Sequence, residues 1–85
     1  MSDTNIKVKR IILDMLKRYP GSTAGQIYTH IVNTLKKDPD SLKLIKQVLN
    51  DKDQSVRKIL DTFEKDNIVT YSIRYRSILK EWRLV

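Results

Sequence analysis

Apolar residues recur at steps of three and four along most of the chain, and this spacing predicts four amphipathic helices. The helices are predicted over about residues 4–19, 23–37, 41–50 and 53–66. Pro20-Gly21 ends the first helix, and Asp38-Pro39-Asp40 is predicted to break the chain after the second. The inward-facing residues are predicted to be Val8, Ile11, Ile12, Met15, Leu16, Tyr19; Ala24, Ile27, Tyr28, Ile31, Leu35; Leu42, Ile45, Leu49; and Val56, Ile59, Leu60, Phe63.

The pattern changes after Asn67, a residue that tolerates the positive φ common at a helix exit. Residues 68–75 are rich in β-branched and aromatic types, and residues 78–85 place Ile78, Lys80, Trp82 and Leu84 on one face. These two runs predict a hairpin joined through Tyr75-Arg76-Ser77. An isolated hairpin is marginal in water, so this one must pack on the helices. The sequence therefore predicts one α+β domain over residues 1–85, mostly helical, with a C-terminal β-hairpin.

Composition restricts the function more than the fold. The chain has 85 residues, 17 Lys and Arg against 10 Asp and Glu, a net charge of +7 and an isoelectric point near 9.8. This excess favours an anionic partner, nucleic acid before a membrane surface, although a solvated basic surface is the alternative. No apolar run approaches the roughly 20 residues of a membrane span. We expect no membrane partner and a cytoplasmic or nucleoid-associated location, or a nuclear one in a eukaryote.

The sequence offers little catalytic or metal-binding chemistry. There is no cysteine, and His30 is the only histidine, so thiolate zinc sites and cysteine nucleophiles are excluded. Asp38, Asp40, Asp51 and Asp53 lack the glycine and terminal glutamate of a calcium loop, and caps and turns explain them better. No phosphate-binding glycine loop or nucleophile elbow is present. We expect neither an enzyme, nor a cofactor, nor a metal site.

Two stretches carry a resemblance to a known family. Residues 21–28, Gly-Ser-Thr-Ala-Gly-Gln-Ile-Tyr, look like the start of a second helix, and residues 55–69 look like a recognition helix running into a strand. Trp82 and Leu84 resemble the apolar anchors of a returning strand. In this respect the chain resembles the winged-helix (winged helix-turn-helix) DNA-binding family. The resemblance implies a recognition helix at 53–66, an extra helix before it, and a hairpin that serves as the wing.

The resemblance also implies a double-stranded DNA-binding protein, acting as a transcriptional regulator. Its recognition helix would read the major groove, with Gln54, Ser55 and Lys58 on bases and Arg57 on phosphate. The wing would touch the backbone or the minor groove. The candidate residues on the recognition helix are Lys52, Gln54, Ser55, Arg57, Lys58 and Thr62, and those on the wing are Arg74, Arg76, Ser77 and Lys80.

Several alternatives stay open at this point. In a rival register, residues 41–50 form the reading helix, with Lys43, Lys46 and Gln47 on its reading face. The same fold could be a protein–protein interaction module of a transcription or replication assembly, with an apolar patch around Leu44 and Val48. RNA or single-strand binding through Tyr71 and Tyr75 is a third reading. A homodimer is also expected, since small DNA-binding modules often pair.

Overall fold

The structure, a computed structural model, describes residues 3–73 and 79–85. It has four helices followed by an antiparallel hairpin, so the predicted mostly helical α+β class is confirmed. The elements are α1 (Asp3–Arg18), α2 (Ala24–Thr34), α3 (Pro39–Val48), α4 (Asp53–Lys65), β1 (Val69–Ile73) and β2 (Lys80–Leu84).

Capping residues explain where the second and third helices begin. The third helix begins at a different residue from the predicted one. Thr23 caps α2: its hydroxyl accepts from the Gln26 N–H at 3.2 Å, and the Gln26 side chain accepts from the Thr23 N–H at 3.0 Å. The predicted break after the second helix is confirmed, but the third helix begins earlier than predicted, because Asp38 caps α3 and Pro39 occupies its first turn. Proline suits that position because its missing N–H would have no partner inside the helix.

The helix ends also differ from the predicted ones. α2 ends at Thr34 rather than near residue 37, and α3 ends at Val48 rather than near residue 50. Asn67 has a φ of 58°, as its position after α4 predicts. Lys52, the residue before α4, has a φ of 51° and a ψ of −122°, a backbone conformation that only glycine adopts without strain.

The connection between α1 and α2 makes backbone hydrogen bonds to the hairpin. β1 and β2 pair in the register Val69↔Leu84 through Ile73↔Lys80, and Trp82 also pairs with Ser22 between α1 and α2. The Trp82 N–H donates to the Ser22 carbonyl at 2.8 Å, and the Gly21 N–H donates to the Trp82 carbonyl at 2.8 Å. Gly21 makes this approach with a φ of 83°, which favours glycine. The hairpin is therefore anchored to the connection between the first two helices.

One apolar core holds the helices and the hairpin together. α1 packs against α2, α3 and β2, and α2 packs against α4. Trp82 is buried as predicted, whereas Leu84 remains 38% exposed at the strand end. Tyr19 is 44% exposed rather than inward-facing, and its ring stacks on His30 at 3.9 Å. The buried apolar residues are Val8, Ile12, Met15, Leu16, Ile27, Ile31, Ile45, Leu49, Val56, Leu60, Phe63, Val69 and Trp82. Within the described part of the chain, no helix has the length and apolar character to cross a membrane.

Candidate functional site

α4 presents a polar face to solvent because its apolar side chains are all used in the core. Val56, Leu60 and Phe63 are buried on one side of the helix. At about 100° per residue, the opposite side carries Gln54, Lys58, Asp61 and Lys65 in line. Gln54, Lys58 and Lys65 are exposed and Asp61 is half-buried. A polar ridge with two cationic groups and one anionic group therefore runs the length of α4.

One flank of this ridge faces the start of α2 and the hairpin. Gln54 and Arg57 line a groove of about 240 Å³ together with Gly25, Leu79 and Lys80. Gly25 lies beside the start of α4, where a Cβ would make an ordinary contact with the Asp53 Cβ at 4.0 Å. The groove brings Gln54 and Arg57 beside the first turn of α2, where free N–H groups favour negative charge.

The other flank of the ridge faces α1 and the turn before α4. Ser55 and Lys58 line a second groove with Asn5 and Lys9 of α1. Ser55 is half-buried, and its hydroxyl accepts a hydrogen bond from the Asp51 N–H at 2.9 Å. Its local role is therefore to hold the turn between α3 and α4.

The remaining predicted residues of this helix are exposed. Thr62 donates its hydroxyl to the Lys58 carbonyl at 3.2 Å, a bond within α4 that leaves an oxygen lone pair at the surface. Lys52 is exposed at the strained turn immediately before α4. Arg57 and Thr62 therefore lie on opposite flanks of the ridge to which Gln54 and Lys58 belong.

Of the predicted wing residues, Lys80 lies within the described part of the chain. Its ammonium lies 3.9 Å from an Asp61 carboxylate oxygen and 4.2 Å from the centroid of the Tyr71 ring. The ion pair with Asp61 therefore joins the hairpin to α4, and the cation–π contact with Tyr71 joins the two strands of the hairpin. Arg74, Arg76 and Ser77 lie outside the described residues, as does Tyr75. Tyr71 is half-buried between Lys80 and Trp82, so its ring is not an open platform for a base.

The rival reading helix presents its own polar surface. Lys43, Lys46 and Gln47 are exposed, and with Leu42 they line an open depression on α3. α3 packs mainly against α1, away from the hairpin. Leu44, beside them, is 47% exposed, and Val48 is half-buried.

The titratable residues considered for metal binding are dispersed. Asp38 caps α3 and Asp53 begins α4, so both lie at helix starts. Residues 3–73 and 79–85 contain no group of three or more potential metal ligands in one place.

Sequence reasoning missed several residues that belong to the same surface. Lys65 continues the ridge, and its spacing of eleven residues from Gln54 is a helical repeat that was visible in the sequence. Thr23 and Gly25 border the Arg57 groove because α2 packs on α4. Leu79 borders it because of the hairpin register, which no local pattern encodes.

No protein-family model matches the chain, and no curated protein and no solved structure is significantly similar to it. Any functional interpretation therefore depends on the chain's own residues and geometry.

Proposed function

We propose that this chain is a winged-helix protein that binds double-stranded DNA, with α4 in the major groove and the β1–β2 hairpin as the wing. The observation that carries the proposal is the polar ridge of α4 with its exposed Lys58 and Lys65, flanked on one side by Arg57, the α2 start and the hairpin. On this reading it acts as a transcriptional regulator.

The chain's connectivity supports the winged-helix part of the proposal. Ser22, between α1 and α2, forms a single β-bridge with Trp82 of β2, so the order is helix, bridging residue, helices and then two strands. α4 leads directly into β1, and a hairpin that follows a recognition helix at once is what a wing requires. α3 is then an extra helix between the second and the recognition helices.

The dimensions and chemistry of α4 support the DNA part. A helix with its side chains is about 10–12 Å across, which matches the roughly 12 Å width of the major groove. Gln54 can pair with adenine, and Lys58 or Arg57 can reach guanine or phosphate. The net charge of +7 adds attraction to any duplex.

The decisive experiment compares two double variants that each remove two positive charges. R57A/K58A alters α4, and K43A/K46A alters the exposed face of α3; all four residues are exposed, so both variants should fold. The measurement is fluorescence anisotropy with labelled duplex, with single-stranded DNA and RNA as competitors. We expect R57A/K58A to weaken binding by about 1–3 kcal/mol per lost base contact, and K43A/K46A to lose much less.

The outcome of this comparison separates three cases. If K43A/K46A has the larger effect, α3 is the reading helix. Equal losses in both variants would mean that only overall charge matters. If wild type shows no preference for duplex over single strands, the DNA proposal is wrong.

A second candidate function rests on a separate surface. Ile11, Leu35, Leu44 and Ile45 line a groove of about 270 Å³ between α1 and α3, with Lys7 at its edge. Its apolar lining favours a protein partner, as expected of an interaction module. This candidate predicts a partner held at one-to-one stoichiometry by wild type and lost in L44D, with duplex binding unaffected by R57A/K58A.

A further inference from the structure

The groove between α1 and α4 carries positive charge on the flank of α4 that lies away from Arg57. Lys9 of α1 and Lys58 of α4 line this groove, which has a volume of about 450 Å³. The described residues that line it include no carboxylate, and neither lysine forms an ion pair with another described residue. Within the described part of the chain, the groove therefore has two positive charges and no negative one.

Ser55 adds a hydrogen-bond donor to the same groove. Its half-buried hydroxyl accepts from the Asp51 N–H at 2.9 Å, which uses an oxygen lone pair and leaves the O–H proton. No residue in the ranges 3–73 and 79–85 accepts this proton. A hydroxyl donor together with two ammonium groups suits an anion that has several acceptor oxygens, such as a phosphate.

The two grooves beside α4 lie on nearly opposite sides of the helix. At about 100° per residue, Ser55 and Arg57 are about 160° apart around the helix axis, with Gln54 and Lys58 between them. Arg57 lines the groove toward α2 and the hairpin, whereas Lys9 lines the groove toward α1. A helix with cations on both flanks and a polar ridge between them fits a slot that has an anionic wall on each side.

The major groove of a DNA duplex is a slot of this kind. It is about 12 Å wide with a phosphate backbone along each side, and a helix with its side chains is about 10–12 Å across. A single strand offers only one row of phosphates, and the major groove of an RNA duplex is deep and narrow. The two-sided arrangement of cations therefore favours duplex DNA as the occupant.

We propose that the α1–α4 groove binds a backbone phosphate of the DNA strand opposite to the strand that Arg57 contacts, with Lys9 as a phosphate ligand. The inference rests on the proposed DNA binding and extends that interface to α1. Lys9 then holds the duplex from one side of α4 and Arg57 from the other. Contacts to both backbones fix the position and direction of α4 within the major groove.

The test compares K9Q with R10Q, which each remove one positive charge from the same turn of α1. Arg10 is exposed and lies about 160° around α1 from the buried Val8, so it faces away from the rest of the domain. K9R keeps the charge at position 9, and circular dichroism checks that each variant is folded. The measurement is fluorescence anisotropy of a labelled duplex at several salt concentrations.

We expect K9Q to reduce the size of the log–log salt slope by about 0.9, the contribution of one phosphate contact. R10Q and K9R should keep the slope of wild type. A second measurement replaces single phosphates by uncharged methylphosphonates in a duplex selected for tight binding by wild type. The replacement that no longer weakens binding by K9Q should lie on one strand, and the replacement that no longer weakens binding by R57Q should lie on the other.

The results that overturn the α1 contact differ from those that overturn DNA binding. A slope that R57A/K58A reduces and K9Q leaves unchanged overturns the α1 contact alone. So do equal reductions in K9Q and R10Q, because the slope would then report overall charge, and so do phosphates for K9Q and R57Q on the same strand. Absence of duplex binding by wild type overturns both proposals.

Discussion

Lys52 occupies a backbone conformation that its side chain makes costly. With φ at 51° and ψ at −122°, it lies where residues other than glycine are strained by about 1–3 kcal/mol. The turn is held on both sides, since Ser55 accepts from the Asp51 N–H and the Lys52 N–H donates to the Leu49 carbonyl at 3.0 Å. The surrounding bonds thus keep the strained residue in place directly before α4.

Replacing Lys52 by glycine should raise the free energy of unfolding by about 1 kcal/mol, because relief of strain exceeds the added unfolded-state entropy. Urea denaturation measures the change. N67G is the matched control: Asn67 has a φ of 58°, which asparagine tolerates, so its stability should shift by less than about 0.5 kcal/mol. A lower stability of K52G would contradict the strain assignment.

The stabilisation that the Asp38 carboxylate gives to the start of α3 depends on pH. The Ser41 hydroxyl donates to its carboxylate at 2.7 Å and the Ser41 N–H donates at 3.3 Å. These bonds, with a smaller contribution from the charge of Lys7, lower the pKa of Asp38 below its ordinary value of 3.8. A group whose pKa is lowered by folding stabilises the native state at pH values above its ordinary pKa. This stabilisation is lost as the pH falls through the pKa of the folded state.

We therefore expect wild type to lose stability below pH 3.8 that a D38N variant does not lose. Asparagine still caps a helix but does not titrate, which makes it the matched variant. Thermal unfolding followed by circular dichroism, from about pH 2 to pH 6, compares the two proteins. Parallel pH profiles would show that the capping carboxylate contributes nothing specific.

At the scale of elements, Trp82 is the residue on which the hairpin's attachment depends. Its backbone bonds to Gly21 and Ser22, and its buried ring meets the Tyr71 ring at 5.1 Å. Lys80 adds a weaker tie to α4 through Asp61, whose carboxylate is exposed enough that solvent screens the pair. The hairpin is thus held mainly by apolar burial and backbone pairing.

W82A should lower the free energy of unfolding by about 3–5 kcal/mol, since it leaves a large cavity between the hairpin and the helices. R83A, the next residue and an exposed one, should change it by less than about 0.5 kcal/mol. Denaturant titration gives both values. A loss of under about 1 kcal/mol in W82A would mean that the attachment of the hairpin does not depend on the Trp82 ring.

At the scale of the whole molecule, the charge determines how binding responds to salt. With a net charge of +7 and several exposed cations on and around α4, we propose that several phosphates are neutralised on binding. The described chain is a single copy, and the homodimer stays a prediction, testable by sedimentation of the protein with palindromic duplex.

The logarithm of the duplex affinity should fall with the logarithm of salt concentration with a slope of roughly −3 to −8. R57A/K58A should reduce the size of this slope by up to about 2, because each phosphate contact contributes about 0.9. Anisotropy titrations at several salt concentrations measure it. A slope near zero would show that the basic surface does not contact the backbone of DNA.

The sequence by itself determined the elements of this protein. Helices and hairpin were predictable because their signals are local: a three-to-four repeat of apolar residues, a β-branched run, and stop signals such as Pro20-Gly21. It also predicted the polar face of α4, because the residues left over from its apolar stripe must face outward. Helix α3 began earlier than predicted because a proline was read as a break when its position in the first turn is favourable.

Only the tertiary structure decided which residues share a surface. The pairing of Ser22 with Trp82, the ion pair of Lys80 with Asp61, and the Leu79 side of the α4 groove join residues distant in sequence. Such contacts depend on how the helices pack and on the hairpin register, and no local period encodes either. The physical reason is that periodicity fixes which way a side chain faces on its own element, whereas packing fixes what that side chain meets.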